Sequence, residues 1–274
     1  VIAGIDHVLI GVDDLDDAGM AWTRLGFTVS PRGRHLGWGT ANACVMFAKD
    51  YLELLGVVDP TQFTNGLVER LALGEGALGL AWATDDAAAL AHRFGVEPRD
   101  LARQIELPEA SVLARFRNVY PDPGLTPGLS SFFCQHLTPD GVRREAWLDH
   151  PNGAIGIEGV TIVVEDPLAL IPAYERLFGT HAVNRTDDVV AVHVGGHRLL
   201  FADPDDAIVL HPELAPEDLP TPPAIFLVTL RSRDLDRTAD HLTDWQVPFD
   251  QTGGASIFVG ADQATGTALE FLRR

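Results

Sequence analysis

Cysteine is scarce in this chain: only Cys44 and Cys134 occur, each inside an apolar run that reads as a strand. Two such thiols do not indicate the multi-bridge framework of a small secreted domain, and a reducing compartment fits. Basic residues are also few. Twenty Lys and Arg stand against 39 Asp and Glu, and the net charge of −19 repels phosphate backbones and anionic lipid surfaces. Neither nucleic acid nor a membrane is an expected partner. An anionic small molecule would need a local positive patch, for which Arg32 and Arg34 are the candidates. No apolar run approaches the roughly 20 residues of a membrane-spanning helix, and the first residues show no basic region leading into an apolar stretch and a cleavage site. A cytoplasmic protein is expected.

Several catalytic signatures are missing too. The chain contains no GxxxxGK phosphate loop, no HExxH, no CxxC and no GxSxG. Their absence removes several common enzyme classes that depend on those local arrangements.

What is present is a packed-core composition, 46% hydrophobic and 22% charged, in a chain long enough for two domains of ordinary size. A unit recurs in it four times, and a recurring unit decides architecture before any local reading does. The first copy opens with IDHVLIGVDDLDDAGMAWTRLGF, a strand, an acidic turn that caps a helix, and a short amphipathic helix ending at Gly26; strands follow around GWGTANACVMFA and YLELLGVVD. The second opens at LGLAWATDDAAALAHRFG and closes near SSFFCQHL. The third opens at IEGVTIVVEDPLALIPAYERLFG and continues through VVAVHVGGHRLLFA, where Gly195 and Gly196 suit a hairpin turn that accounts for the flanking His193 and His197. The fourth opens at AIFLVTLRSRDLDRTADHLTDW, after a proline-rich link at 219–225. Pro151, Asn152 and Gly153 are turn formers, so the domains are cut near residue 150, giving 1–150 and 151–274. Each unit is strand, helix and about three strands, too little to cover its own sheet, so two units are expected to pair into a cup with helices outside.

This βαβββ repeat, with the segments IDHVLIGVDDLDDA, GRHLGWGTAN and YLELLGV, resembles the glyoxalase-like domains of the vicinal oxygen chelate superfamily most strongly over residues 5–58. The resemblance implies an α+β fold of four βαβββ modules paired into two domains like those of glyoxalase, bleomycin-resistance protein and dihydroxybiphenyl dioxygenase. It also implies metal ligands on the first and last strands of paired units. His7 and Glu53 match those positions, and strand alternation sets each in an apolar row, Ile5–His7–Leu9 and Tyr51–Glu53–Leu55. An unpaired buried carboxylate normally finds a cation, and a histidine beside it begins a divalent site. Superposing the first unit on the second sets Gly79 opposite His7 and Gln135 opposite Glu53. The repeat alignment therefore favours Gln135 as a further ligand, whereas ligand chemistry favours its neighbour His136, and only one of two adjacent strand residues can enter the cup. In the second pair the positions read Gly159, Leu227 and Glu270, so that cup is expected to be structural or dimer-forming, with Glu270 paired to Arg273 or Arg274.

The resemblance implies an enzyme that holds a divalent ion (Zn, Ni, Mn or Fe) through His7, Glu53 and Gln135 or His136. Its small substrate would have adjacent oxygens, and Glu53 would move a proton in isomerase or lyase chemistry. Arg34, His35, Trp38, Asn42, Trp82 and Phe133 are the expected substrate-binding residues. Two alternatives stand beside it. Ring-cleaving dioxygenation of the extradiol type requires two histidines and a glutamate, against which Gly79 counts. A metal-free binder would instead sequester an apolar molecule among Trp38, Trp82, Phe132 and Phe133. A homodimer remains open, since folds of this kind often complete a cup across two copies.

Overall fold

The computed structural model describes residues 1–273, apart from the side chain of Thr252. The first unit comprises β1 (Ile2–Gly11), α1 (Leu15–Arg24), β2 (Gly33–His35), β3 (Thr40–Met46) and β4 (Tyr51–Val57). A short α2 (Leu67–Leu71) leads to the second unit, β5 (Gly76–Thr84), α3 (Ala87–Phe94), β6 (Arg99–Ile105), β7 (Val112–Val119) and β8 (Ser131–His136). The third is β9 (Ala154–Val163), α4 (Ile171–Phe178), β10 (Val183–Thr186), β11 (Val189–Val194) and β12 (His197–Ala202), followed by α5 (Pro204–Leu210). The fourth is β13 (Ala224–Ser232), α6 (Leu235–Asp244), β14 (Asp250–Thr252), β15 (Ser256–Val259) and β16 (Ala268–Arg273). The architecture is therefore α+β, four βαβββ modules joined in pairs. No helix among the described residues is long and apolar enough to cross a membrane.

Part of the acidic excess has a local purpose. Asp14, Asp86, Asp203 and Asp234 each accept backbone N–H bonds at the start of α1, α3, α5 and α6, a contribution of about 1 kcal/mol apiece. In α1 the spacing of Leu15, Ala18 and Trp22 turns one face to the core, and the chain leaves the helix at Gly26 with φ +88°, a conformation that favours glycine.

The two pairs of units close differently. In the first, β1 pairs with β5 and β2 with β6, so the order β1-β4-β3-β2-β6-β7-β8-β5 shuts into a barrel. In the second, β9 pairs with β13 while β10 and β14 remain edges, leaving an open eight-stranded sheet. Its concave face is filled by its own chain: Ala207 of α5 and Leu214 are buried against Val163, Phe226, Leu227 and Phe258. The opposite face shares a core with the outside of the barrel, where Trp22, Trp82 and Phe133 join Val160, Tyr174 and Phe271. The connector from 137 to 153 joins the two sheets, and Asn152 fastens it by donating its backbone N–H to Gly26 and its side-chain amide to Leu25.

Candidate active site

β1 and β4 run side by side and parallel, with His7 opposite Tyr51 and Leu9 opposite Glu53. The pleat turns all four inward, and with Leu55 they line a cavity of about 510 Å³ inside the barrel. Met46, Ala81, Ile105, Ala114, Val142 and Trp147 form a buried apolar cluster with the cavity-lining Tyr51, Phe116 and Cys134. A register shift between Ile5 and His7 interrupts the ladder at Asp6. Such a bulge breaks the usual alternation, and Asp6 turns in beside His7, 2% exposed.

Asp6 is a hub. Its Oδ2 lies 2.7 Å from His7 Nδ1 and 3.0 Å from His136 Nε2, and its Oδ1 lies 3.5 Å from Arg143 Nη2. Burial pushes its pKa up, but His136 and His7 outweigh burial and hold the carboxyl well below its ordinary range. An ionised Asp6 holds a proton on His7 Nδ1 and so aims Nε2 into the cavity. That nitrogen lies 3.3 Å from Glu53 Oε2.

His35, the last residue of β2, repeats the pattern beside Thr40 at the start of β3. Its Nδ1 lies 2.8 Å from Thr40 Oγ1, and its Nε2 lies 3.4 Å from Asn42 Nδ2 and 3.7 Å from Glu53 Oε1. Burial lowers the His35 pKa to about 4, with Glu53 opposing and Arg103 assisting, so its imidazole is neutral at neutral pH. The Asn42 amide donates to Glu53 Oε1. Burial alone would raise the Glu53 pKa, yet His7, His35, Arg103 and Asn42 together bring it below the usual glutamate value. Glu53 is therefore an ionised carboxylate set between the Nε2 atoms of His7 and His35. Two imidazoles and a carboxylate are a donor set of the kind that suits a transition-metal ion.

Other expected residues do not join this cluster. Gln135 points out of the barrel, where its Oε1 accepts from Ala87 N and its Nε2 donates to Asp85 O at the start of α3. Phe132, opposite Ala81, takes the place that Glu53, opposite Leu9, has in the first unit. The repeat alignment is therefore three residues out on β8, and an odd slip exchanges the faces of a strand. Phe132, Cys134 and His136 face inward instead, but His136 spends its Nε2 on Asp6. Arg34 sits on the outer face of β2, half-exposed and paired with Glu106 at 2.6 Å. Trp82 faces the shared core, its Nε1 bonded to Ser131 and its ring 5.0 Å from Phe178, and Phe133 stacks on Phe94 of α3. Of the substrate-binding set, His35, Trp38 and Asn42 line the cavity, Trp38 resting edge-on against Phe63. Glu270 does not pair with Arg273, which lies three residues on and hence on the other strand face; it accepts from Thr229 Oγ1 at 3.2 Å, and Arg274 lies outside the described residues.

Another trio, Asp6, His7 and Cys134, is the group among the described residues whose ligand atoms all lie within 4.8 Å of one another. Its thiol is pushed well up by burial and by the Asp6 and Glu53 charges, and its carboxylate already serves His7, His136 and Arg143. The Glu53 cluster has the freer lone pairs.

Arg103, Asn118 and Tyr120 also line the cavity and went unread in the sequence. For Arg103 the signal was available: Leu101, Arg103 and Ile105 alternate as the rows around His7 and Glu53 do. Asp6 carried no such signal, because alternation sends it outward and the bulge leaves no mark in the residues.

A family model described as a glyoxalase-like domain matches residues 5–178. Among solved structures, a hypothetical protein from Staphylococcus aureus superposes with a TM-score of 0.69 at 13% identity, covering 98% of this chain and 99% of that one. A triple mutant of 4-hydroxymandelate synthase from Streptomyces coelicolor gives 0.61 at 13% identity, covering 100% and 93%. A xylose isomerase-like TIM barrel/4-hydroxyphenylpyruvate dioxygenase fusion protein gives 0.57 at 13% identity, covering 100% of this chain and 49% of that one. At such identities these likenesses concern the fold. No curated protein matches the sequence.

Proposed function

Given that the chain belongs to the glyoxalase-like domain family, we propose that its N-terminal barrel is the active site of a metal-dependent enzyme acting on a small substrate with adjacent oxygens. The observation that supports this is Glu53 ionised between His7 Nε2 and His35 Nε2 at 3.3 and 3.7 Å. A divalent ion held there by His7, His35 and Glu53 would supply Lewis acidity toward a substrate oxygen.

The chain's own groups do the rest. Asp6 holds His7 through Nδ1 and Thr40 holds His35 through Nδ1, which fixes the direction of each Nε2. Glu53 is the carboxylate placed to take a proton from carbon beside a substrate oxygen and to return it, which is isomerase or lyase chemistry. Asn42 holds it in place meanwhile. Leu9, Leu55 and Phe132 line the cavity with apolar surface and limit water around the reacting centre.

Hydroxyacetone, a small ketone with adjacent oxygens, tests the reading. Incubated in D2O with protein loaded with Zn, Ni, Mn or Fe(II), it should exchange the hydrogens next to its carbonyl, followed by NMR. Glu53→Gln should abolish the exchange. No exchange above buffer with any of the four ions would overturn the reading.

Ring-cleaving oxygenation is a second reading, and His35 favours it. The sequence lacks a histidine at Gly79, but the first unit supplies the second imidazole from β2, completing a two-histidine, one-carboxylate set of the kind that suits Fe(II). Oxygen consumption with catechol by iron-loaded protein, and not by zinc-loaded protein, separates the two.

A further inference from the structure

We infer that Arg103 is the receptor for a carboxylate group on the ligand, so that the barrel takes a small organic acid with an apolar body. The inference rests on the barrel being the substrate site and says what that substrate carries. On β6, Arg103 lies directly across from His35 of β2, which places its charge beside the Glu53 cluster. Gly33 makes room for it: a Cβ there would come within 2.6 Å of Arg103 Cδ. The guanidinium lies over the Phe116 ring at 5.4 Å, and the side chain lines the cavity while being only 4% exposed.

Its partners fall short of its capacity. A guanidinium has five N–H donors. Nη1 donates to Cys44 Sγ at 3.2 Å, a weak acceptor, and Nε is buried with no partner. Nη2 makes no hydrogen bond among the described residues, and no carboxylate there lies within ion-pair distance of Arg103. Arg143, by contrast, has Asp6. A buried cation without an anionic contact is costly, and an incoming carboxylate removes that cost with charge-assisted hydrogen bonds. Asn118 on the neighbouring β7 presents an acceptor in the same wall, its Oδ1 buried without a donor, which would suit a hydroxyl or N–H of the ligand and not its carboxylate. Leu101, Phe116, Tyr120 and Phe132 are at hand for the apolar body of the acid.

Calorimetric titration with benzoate and with its neutral isostere benzamide tests this, on metal-stripped and zinc-reloaded protein. Benzoate should bind the metal-stripped protein at least about tenfold more tightly than benzamide, and Arg103→Met should weaken benzoate about 10- to 100-fold while leaving benzamide unchanged. Should Arg103→Met fail to fold by circular dichroism, the benzoate-to-benzamide ratio on the unaltered protein decides alone. Equal binding of the two probes, no binding of benzoate, or benzoate binding that survives Arg103→Met would overturn the inference. Benzoate binding that needs zinc and ignores Arg103→Met would sink this inference and leave the metal reading standing. Charge discrimination in a protein that takes up no metal would do the reverse.

Discussion

Asp6 grips His7 through a 2.7 Å contact between Oδ2 and Nδ1, and the grip exists because a bulge turns both of these adjacent residues into one barrel. A carboxylate behind an imidazole sets its tautomer and raises its basicity toward whatever the other nitrogen meets. Asp6→Asn should therefore weaken metal affinity about 10- to 100-fold while retaining the site, measured by competition against a chelating dye. An unchanged affinity would show that Asp6 serves Arg143 and His136 alone.

Asp50 and His197 join the two sheets. Asp50 Oδ2 lies 3.0 Å from His197 Nε2, Ile157 N donates to Asp50 Oδ1, and Ile5 N donates to His197 Nδ1. All of these groups are buried, and a Cβ at Gly4 would sit 2.5 Å from the His197 ring. Removing one member of a buried pair strands the other, so His197→Ala should cost about 3–5 kcal/mol in urea unfolding. The exposed His193 on the same hairpin is the control, and His193→Ala should change little. Equal effects of the two variants would contradict the arrangement.

His150 gives stability a dependence on pH. Burial lowers its pKa, only partly offset by the bond from its Nε2 to Met46 O, while Nδ1 accepts from Thr28 N. A histidine depressed in the folded state is neutral in both states at high pH. As pH falls below the unfolded value of about 6.5 the unfolded chain gains the proton first. Stability should thus decline from about pH 6.5 downward, until the folded value is passed. Urea melts at pH 7.5 and 5.5 should show a smaller decline for His150→Gln than for the unaltered chain. Matching declines would assign the loss to other groups.

The fold was legible because the βαβββ unit recurs and three of the four copies open their helix with an acidic cap, Asp14, Asp86 and Asp234. Glu53 was legible as the polar member of an apolar row; His7 keeps Leu9 as a row neighbour in the cavity, but the bulge at Asp6 sends Ile5 to the shared core instead. Gln135 was misread because a strand has no internal marker of register, and any odd slip reverses its faces. Trp82 and Phe133 were misread for a related reason: both sides of a barrel wall are apolar when a second sheet covers the outside, so an aromatic residue does not declare its side. Asp6 was invisible because a bulge is a property of pairing. His35 was read as a substrate contact; only its 3.7 Å approach to Glu53 brings it to the metal question.

Elemental analysis of protein purified without added metal bears most directly on the shared cation site. The account predicts one divalent ion per chain, lost in His7→Ala and in His35→Ala and retained in Cys134→Ser. No ion in the unaltered protein, or an ion that survives His35→Ala and disappears in Cys134→Ser, would contradict it.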